Sequence, residues 1–402
     1  MQRAVERAIV VGGGVAGPVA AMALQRAGIR ATVHEAHPAP AGDVGAWLGV
    51  QVNGLDALAA VGAEDAVRAA AFPTPVIEFR NAAGRVLGEL PTADPAGVRP
   101  TGVSLRRSEL YRALHDEAVG RGIEVRHRSR LVSAEDTGDG VTAVFDDGHT
   151  ETADLLVGAD GVRSTVRTLV DPAAPPPRFV PVLTTAGYSS HTPADAEPGR
   201  LTMVFGRRGF GGYLAAPDGL TWWFATPPLT REPDAAEVAA TSDLQWRARL
   251  YDLFRGDRSP MVALVEATPG PLRGWTTHDV PSLRRWHRGR TVLVGDAAHA
   301  TAPGAGQGSS LAMEDAVVLA RCLRDLPVPE AFQVFEGLRR GRAERVVAEG
   351  FRTSSAKSPP AVGRLVRDLV MPVVLRRRDP TAWMRDHTVD WDAPAPAAVP
   401  AG

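Results

Sequence analysis

Residues 8–17 read Ala8-Ile9-Val10-Val11-Gly12-Gly13-Gly14-Val15-Ala16-Gly17. The first four form an apolar run of buried parallel-strand type, and the next six fit G-x-G-x-x-G. Pro18 to Ala27 then offer a helix, with Val19, Met22, Ala23 and Leu24 spaced for one buried face and Gly28 placed to stop it. Ala31-Thr32-Val33-His34 reads as a second strand, and Glu35 ends it, 18 residues after Gly17. Glycines let the backbone approach a pyrophosphate, the helix N-terminus favours its charge, and the acid accepts ribose hydroxyls. A glycine triplet alone often only shapes a turn. Strand, glycines, helix, strand and acid in register indicate an adenine dinucleotide, held by Gly12, Gly14, Val15, Ala16, Gly17 and Glu35.

Outward from this stretch, 402 residues with 44% hydrophobic content predict two interleaved domains. A net charge of -1 gives no general pull toward nucleic acid or an anionic membrane. Lys357 is the only lysine among 45 basic residues, a bias that suits a G+C-rich coding background. The single cysteine, Cys322, excludes an internal disulfide framework or a Cys-x-x-Cys centre and reads as a small buried apolar residue of a cytoplasmic protein. The N-terminal apolar run is too short for a signal peptide, and no run approaches the roughly 20 apolar residues of a membrane span. His34 and His37 flank Glu35 without a metal-ligand spacing, so they read as surface residues and no metal site is expected.

Along the chain, Val76–Arg80 and Arg85–Leu90 alternate like strands with one wet face. Ser108 is placed to N-cap a helix running to about Gly120, and Asp146-Asp147-Gly148 reads as a hairpin turn. The proline-rich residues 171–180 mark a boundary. From there to about 280, short strands rich in Phe, Tyr and Trp predict a mainly β unit, interrupted by a helix at Asp243–Phe254. Arg290 to Val294 returns to the first texture, and 309–325 and 329–356 read as helices. The fold expected is α/β: a Rossmann-like doubly wound dinucleotide domain made of 1–75, 100–178 and 281–325. A β-sheet substrate domain (76–99 and 179–280), a C-terminal helical region (326–392) and a loose tail (393–402) complete it. Leu369 to Leu375 reads as a packed helix and Arg376-Arg377-Arg378 as solvated surface.

Two further strand-to-turn junctions would gather at the same sheet edge. One is Gly158-Ala159-Asp160-Gly161, continuing through Arg163 to Arg167. The other is Gly295-Asp296, running on to Pro303, Gly306-Gln307-Gly308 and a helix carrying Glu314 and Asp315. Ligands of open α/β sheets sit at such carboxyl ends. An acid there suits a polyol chain, and a glycine-opened helix N-terminus favours negative charge on a ring lying against it.

With these three motifs in order, the chain from residue 8 to about 345 resembles the single-component FAD-dependent aromatic hydroxylases, the para-hydroxybenzoate hydroxylase-like monooxygenases. The resemblance implies FAD, with the pyrophosphate on the glycine turn and Glu35 on the adenosine ribose. Asp160-Gly161 with Arg163 is similar to the family's internal motif. Asp296 would bind the ribityl chain, and Gly306, Gln307, Gly308, Ser309 and Ser310, beside Pro303, would lie against the flavin. Arg107 resembles the flavin-contacting arginine, and Leu131 would offer backbone atoms to the adenine. Many members carry Asn where Ser310 stands. The implied reaction uses NADPH or NADH as a transient reductant and O2, through a flavin C4a-hydroperoxide, to hydroxylate an aromatic or polyketide-like small molecule. Because the cofactor performs the hard step, no protein side chain is assigned as catalytic. His299 reads as a packed neighbour of Asp296. Trp47, Phe205, Tyr213, Trp222 and Trp223 are candidates to line the pocket, with Trp47, Phe205, Tyr213 and Trp223 taken first, although alternation turns about half of strand aromatics into a core.

Composition and resemblance together point to bacterial secondary metabolism and antibiotic biosynthesis. Three rivals share the fold. A flavin halogenase relies on a lysine beside its substrate and a Trp-x-Trp-x-Ile-Pro segment, and neither is present. A reductase or dehydrogenase acting on an apolar substrate is separated by oxygen-dependent product formation. A silent FAD-binding partner in a biosynthetic complex would hold FAD without substrate-stimulated NAD(P)H oxidation.

Overall fold

A computed structural model describes residues 5–39, 46–92, 101–355, 361–377 and 379–397. Lys357, Arg378, the loop residues 93–100 and the last five residues of the expected tail lie outside them. The opening run forms a strand, Arg7–Val11, followed by α1 (Ala16–Arg26) and a parallel strand, Arg30–Glu35. Their side chains are buried because a six-stranded sheet grows on both sides of Arg7–Val11. It is ordered His287–Arg288, Thr291–Leu293, Leu155–Gly158, Arg7–Val11, Arg30–Glu35, Glu124–His127. All neighbours are parallel except the first pair. Helices cover such a sheet on both faces, which is why its strands read as continuous apolar runs.

Between these pieces, Trp47–Val50 leads into α2 (Val52–Ala60), and Val103–Arg106 leads into α3 (Arg107–Gly120). Arg106, not Ser108, stands at the N-cap of α3, with Glu109 accepting from its amide at 3.3 Å. The hairpin at Asp146–Gly148 forms as expected, with Gly148 at φ +82°. It belongs to a three-stranded antiparallel sheet of Leu131–Asp136, Val141–Phe145 and Thr150–Ala153. Phe145 of that sheet lies over His34, ring centroids 3.8 Å apart, and Ser129 and Glu151 bond the two imidazole nitrogens. His34 is therefore fully buried, contrary to its reading as surface. A second layer has covered what would otherwise be a wet position.

The short helix α4 (Thr165–Val170) is followed by the second large sheet. Its order is Gly274–Asp279, Arg178–Ser189, Thr221–Thr226, Phe210–Ala215, Arg200–Phe205, Val76–Asn81, Val86–Pro91. It is antiparallel save where Arg200–Phe205 pairs with Val76–Asn81. On its outer face, Tyr213, Trp223, Leu183 and Val204 pack against α5 (Asp243–Phe254), with Trp246 at the centre.

The long helices α6 (Gly308–Asp325) and α7 (Val328–Ser355) back the first sheet. Helix α8 (Ala361–Arg377) lies on the edge strand Val86–Pro91, where Gly88 leaves room for Leu375, and one short helical turn, Ala382–Arg385, follows it. The described start of the expected loose tail is held in place: Arg324 donates to the carbonyls of Trp391 and Ala393, and the Ala395 amide donates to Asp325. Cys322 is buried, and burial pushes its thiol up to about 11.

Gly17 packs so closely that a Cβ there would stand 1.8 Å from the Gly12 carbonyl oxygen, whereas a Cβ at Gly14 meets nothing within 4 Å. G17A is expected to cost about 1–3 kcal/mol of stability as overpacking. G14A should unfold at the wild-type urea midpoint yet lose dinucleotide. Urea unfolding followed by circular dichroism, beside the cofactor content of the purified variants, checks both.

Candidate active site

Val11, Gly158 and Leu293 lie in register, so three turns open at one sheet edge. In the first, Gly12 adopts φ +110°, a conformation suited to glycine, and its amide donates to the His34 carbonyl at 2.8 Å. The Gly13 amide donates to Glu35 Oε2 at 2.6 Å and the His37 amide to Oε1 at 2.8 Å. The Glu35 carboxylate is thereby pinned where the second strand ends, with lone pairs left over. Val15 stands at the N-cap of α1, which has no side-chain cap and no acid in its first turn. Its N-terminal amides remain available to an anion. Leu131 starts a strand two residues after Ser129, whose amide donates to the Glu35 carbonyl.

The second turn differs. Ser164 Oγ donates to one oxygen of Asp160, and the amides of Thr165 and Val166 donate to the other at 2.7 and 3.1 Å. Asp160 thus caps α4. Burial pushes its pKa upward, against the pull of those bonds. Arg163 is exposed, while Arg167, not singled out from the sequence, is buried. It donates to the carbonyls of Val162 and Ala297 at 2.8 Å and of Asp296 at 3.0 Å, tying the second turn to the third. The available signal was an arginine set between Val166 and Val170 on a buried face.

In the third turn, Gly295 adopts φ +58° and its amide donates to Asp315 Oδ2 at 2.9 Å. His299, buried against Trp286, shares the same oxygen at 2.5 Å, so it is the packed neighbour expected. Among the described residues no donor reaches the Asp296 carboxylate, which opens to solvent inside the crevice. The surrounding protein raises its pKa by desolvation, opposed by His299, Arg107 and Arg167. Pro303 begins a single 3₁₀ turn that Gly306 ends at φ +61°. From there Gln307 leads into α6, which again lacks a side-chain cap and a first-turn acid.

Residues 49–53 close the other side. The Gln51 amide donates to Ser310 Oγ at 3.2 Å, and Ser309 Oγ to the Gly49 carbonyl at 3.5 Å. Asn53 Nδ2 donates to Gln307 Oε1 at 2.8 Å and to Glu314 Oε1 at 2.6 Å. Gln51 Oε1 and Asn53 Oδ1 are buried with no hydrogen-bond partner among the described residues. Arg107 begins α3, near enough for its charge to act on Asp296 and on Tyr111.

Beneath this loop lies a charge cluster that the sequence did not announce. Arg339 donates from Nε to Asp315 at 2.7 Å and pairs with Glu314 at 2.6 Å, and Arg342 grips Glu314 with two nitrogens. Burial alone would raise the Asp315 pKa. His299 and Arg339 outweigh it and hold the carboxyl at about 2.

Beyond the loop stands an aromatic wall. Trp47 pairs across strands with Arg106 and meets the rings of Trp222 and Phe224, at 6.2 and 5.8 Å. Tyr188, Trp222 and Phe210 continue this face, and Phe205 stacks with Phe79 farther along it. Arg106 sits over the Tyr188 and Trp222 rings. Tyr213 and Trp223, expected in the pocket, point the other way into the Trp246 core and are buried. The alternation of the strand was legible, but its parity was not. Trp222, also a candidate from the sequence, does stand in the wall, joined there by Phe224.

These features fit a dinucleotide: the turn is open at Gly14, an acid at the strand end has spare lone pairs, and two helix N-termini face the crevice. A model for the FAD binding domain matches residues 6–197 and 255–331. The chain belongs to the FAD-dependent monooxygenase family. The aurachin C monooxygenase/isomerase of Stigmatella aurantiaca is 33% identical over 86% of this chain and 88% of its own. A 3-amino-4-hydroxybenzoate 2-monooxygenase of Streptomyces platensis is 31% identical over 94% of this chain and 95% of its own. The solved structure of Klebsiella pneumoniae HpxO with FAD and uric acid superposes with a TM-score of 0.83 at 27% identity, covering 95% of this chain and 96% of that one. The α/β fold with an FAD-binding parallel sheet, FAD as cofactor and monooxygenase activity are those of the family.

Two outcomes follow for the charge cluster. Arg339→Met takes one cationic partner from each of two buried carboxylates and should cost about 3–5 kcal/mol, read from the denaturation midpoint. Asp315 has a folded pKa (about 2) below its ordinary value of 3.8. Its contribution is therefore present above the ordinary value and lost as pH falls toward the folded one. Wild-type stability should drop across that window, and D315N, less stable at neutral pH, should lose less within it.

Proposed function

We propose that this monooxygenase hydroxylates a planar, electron-rich aromatic or polyketide-like small molecule in the cytoplasm, with NADPH or NADH as a reductant that binds transiently. The observation carrying this reading is the aromatic wall standing directly across from the glycine loop. Trp47 belongs to the same short strand as Gly49, whose carbonyl accepts from Ser309. A ring lying between Trp222, Phe224 and that loop would be held edge and face by apolar surface, with water excluded.

Within the same reading, the fingerprint residues Gly12 to Gly17 would hold the pyrophosphate and Glu35 the adenosine ribose. Asp296 would hold the ribityl chain, and Arg107 and residues 306–310 the ring. Bound there, FAD would supply the redox chemistry that couples nicotinamide oxidation to insertion of one oxygen atom from O2. The chain's own residues bind, orient and seclude. The uncapped N-terminus of α6 favours negative charge on whatever lies against it. Asn53 and Arg342 fix Glu314, and through it the loop. Arg106, at the rim of the wall, is paired with Asp218 at 2.9 Å and would present its remaining N–H groups to a carbonyl of the substrate. By their names, two of the relatives act on aurachin C and on 3-amino-4-hydroxybenzoate, and the solved structure holds uric acid. The dinucleotide unit would consist of residues 1–75, 100–178 and 281–325, with the second large sheet as the substrate unit.

Consumption of NAD(P)H by the FAD-loaded protein, measured against a panel of aromatic and polyketide compounds under ¹⁸O₂, tests this. A compound that speeds oxidation and gains one labelled oxygen supports the reading. Reduction without labelled product would favour a reductase, and FAD binding without any acceleration a silent partner. F224A and W222A are expected to raise KM for the accepted compound roughly tenfold or more, the value of one aromatic contact of about 1.5 kcal/mol. Asp296→Asn should instead weaken FAD retention, read by fluorescence of released flavin.

A further inference from the structure

Helix α8 carries the largest group of exposed apolar side chains among the described residues. Val362, Leu365, Val366, Leu369, Val370 and Val373 are between 49% and 76% exposed. Their spacing of three and four places them on one stripe of the helix. The sequence predicts a packed helix over Leu369–Leu375, and the structure corrects this: Leu375 turns inward onto Gly88, while 369, 370 and 373 face out. The inner side makes the contacts to the sheet: Asp368 accepts from Asn81, and Arg367 lies over the Phe205 ring. The outward stripe is thus not needed to hold the helix in place.

Charge decides what covers it. The stripe runs into the exposed Arg376 and Arg377, and at its other end stand Arg207, Arg208 and Arg364, all three acting on the carboxyl of Asp257. Described residues of α8 include four arginines and one aspartate, and that aspartate is turned toward the sheet. A second copy laid along the stripe would set Arg376 and Arg377 against the partner's Val362 when antiparallel, or against the same arginines when parallel. Neither arrangement supplies an acid. An apolar stripe with cations at both ends matches an interface of acyl chains and anionic headgroups.

We propose that α8 docks this enzyme peripherally on an anionic membrane surface, the six apolar side chains entering the headgroup boundary and the flanking arginines pairing with lipid phosphates. Among the described residues no helix is long and apolar enough to span a bilayer, so attachment is lateral and reversible. The helix borders the aromatic face through Arg367 and Phe205, which puts the docked surface beside the edge of the proposed substrate sheet.

Co-sedimentation of the FAD-loaded full chain with vesicles tests this independently of any substrate. Binding is expected to phosphatidylcholine vesicles containing phosphatidylglycerol, weaker binding to phosphatidylcholine alone, and release in about 1 M salt, where the screening length is about 3 Å. R376Q/R377Q should weaken binding roughly thirtyfold, about fivefold for each charge removed at the surface. L365E/L369E should abolish it, with FAD absorbance and Tm confirming that the variant is folded. Absence of wild-type binding overturns the proposal. So does L365E/L369E binding like wild type, or equal binding to both vesicle types. A wild-type dimer that L365E/L369E converts to a monomer, without vesicle binding, would assign the stripe to a second copy instead.

Discussion

Two adjacent acids, Glu314 and Asp315, buried against Arg339 and Arg342, hold the loop on which the active site is built. Neighbouring positions on a helix point about 100° apart, so one helix sends its two carboxylates to different sides, with Arg339 bridging both. Asp315 receives the Gly295 amide and His299, fixing the turn that presents Asp296. Glu314 receives Asn53, which also holds Gln307 at the start of α6. Taking four charges out of water gives little net stability even when they are well paired. What the cluster secures is position. It ties α2, α6, α7 and the 295–310 loop to a common point, and removing one member leaves a buried charge rather than a gap.

The three acids at the sheet edge show how one residue type serves different ends. Asp160 spends both oxygens on capping α4, Glu35 is pinned by two amides but keeps lone pairs, and Asp296 has no protein donor among the described residues. From sequence the three look alike, each ending an apolar strand. Only hydrogen-bond accounting separates the acid that shapes a turn from the acid that waits for a ligand. Arg167 is the converse. It lies inside the motif yet acts on the backbone of two turns, and so positions the edge without facing the crevice.

What the chain disclosed beforehand follows from range. The strand, glycine turn and helix at residues 7–26 are local, and so are the other two strand ends and the β texture after 180. Register then brought the three turns together as a doubly wound sheet requires. The choice between Tyr213–Trp223 and Trp222–Phe224 was not local. It depends on which face α5 covers, a fact contributed by residues 243–254 and invisible in the strands themselves. His34 was misjudged for the same reason, because the hairpin that buries it comes from residues more than 90 positions away. The Glu314–Arg339 pairing likewise joins two helices whose separate patterns are unremarkable.

The far end of the molecule obeys a different constraint. An edge strand such as Val86–Pro91 exposes unpaired backbone groups and invites association, and a covering helix is one of the ways proteins blunt it. Helix α8 does this with its inner face alone: Leu375 fills the space over Gly88, and Asp368 meets Asn81 and the Arg85 guanidinium reaches the 368 carbonyl. Protecting the edge places no demand on the outer face, where polar side chains would serve as well and would be more soluble. Six exposed aliphatic residues in one stripe therefore exceed what the fold requires. Their retention between two groups of arginines is explained by a surface outside the molecule, not by one within it.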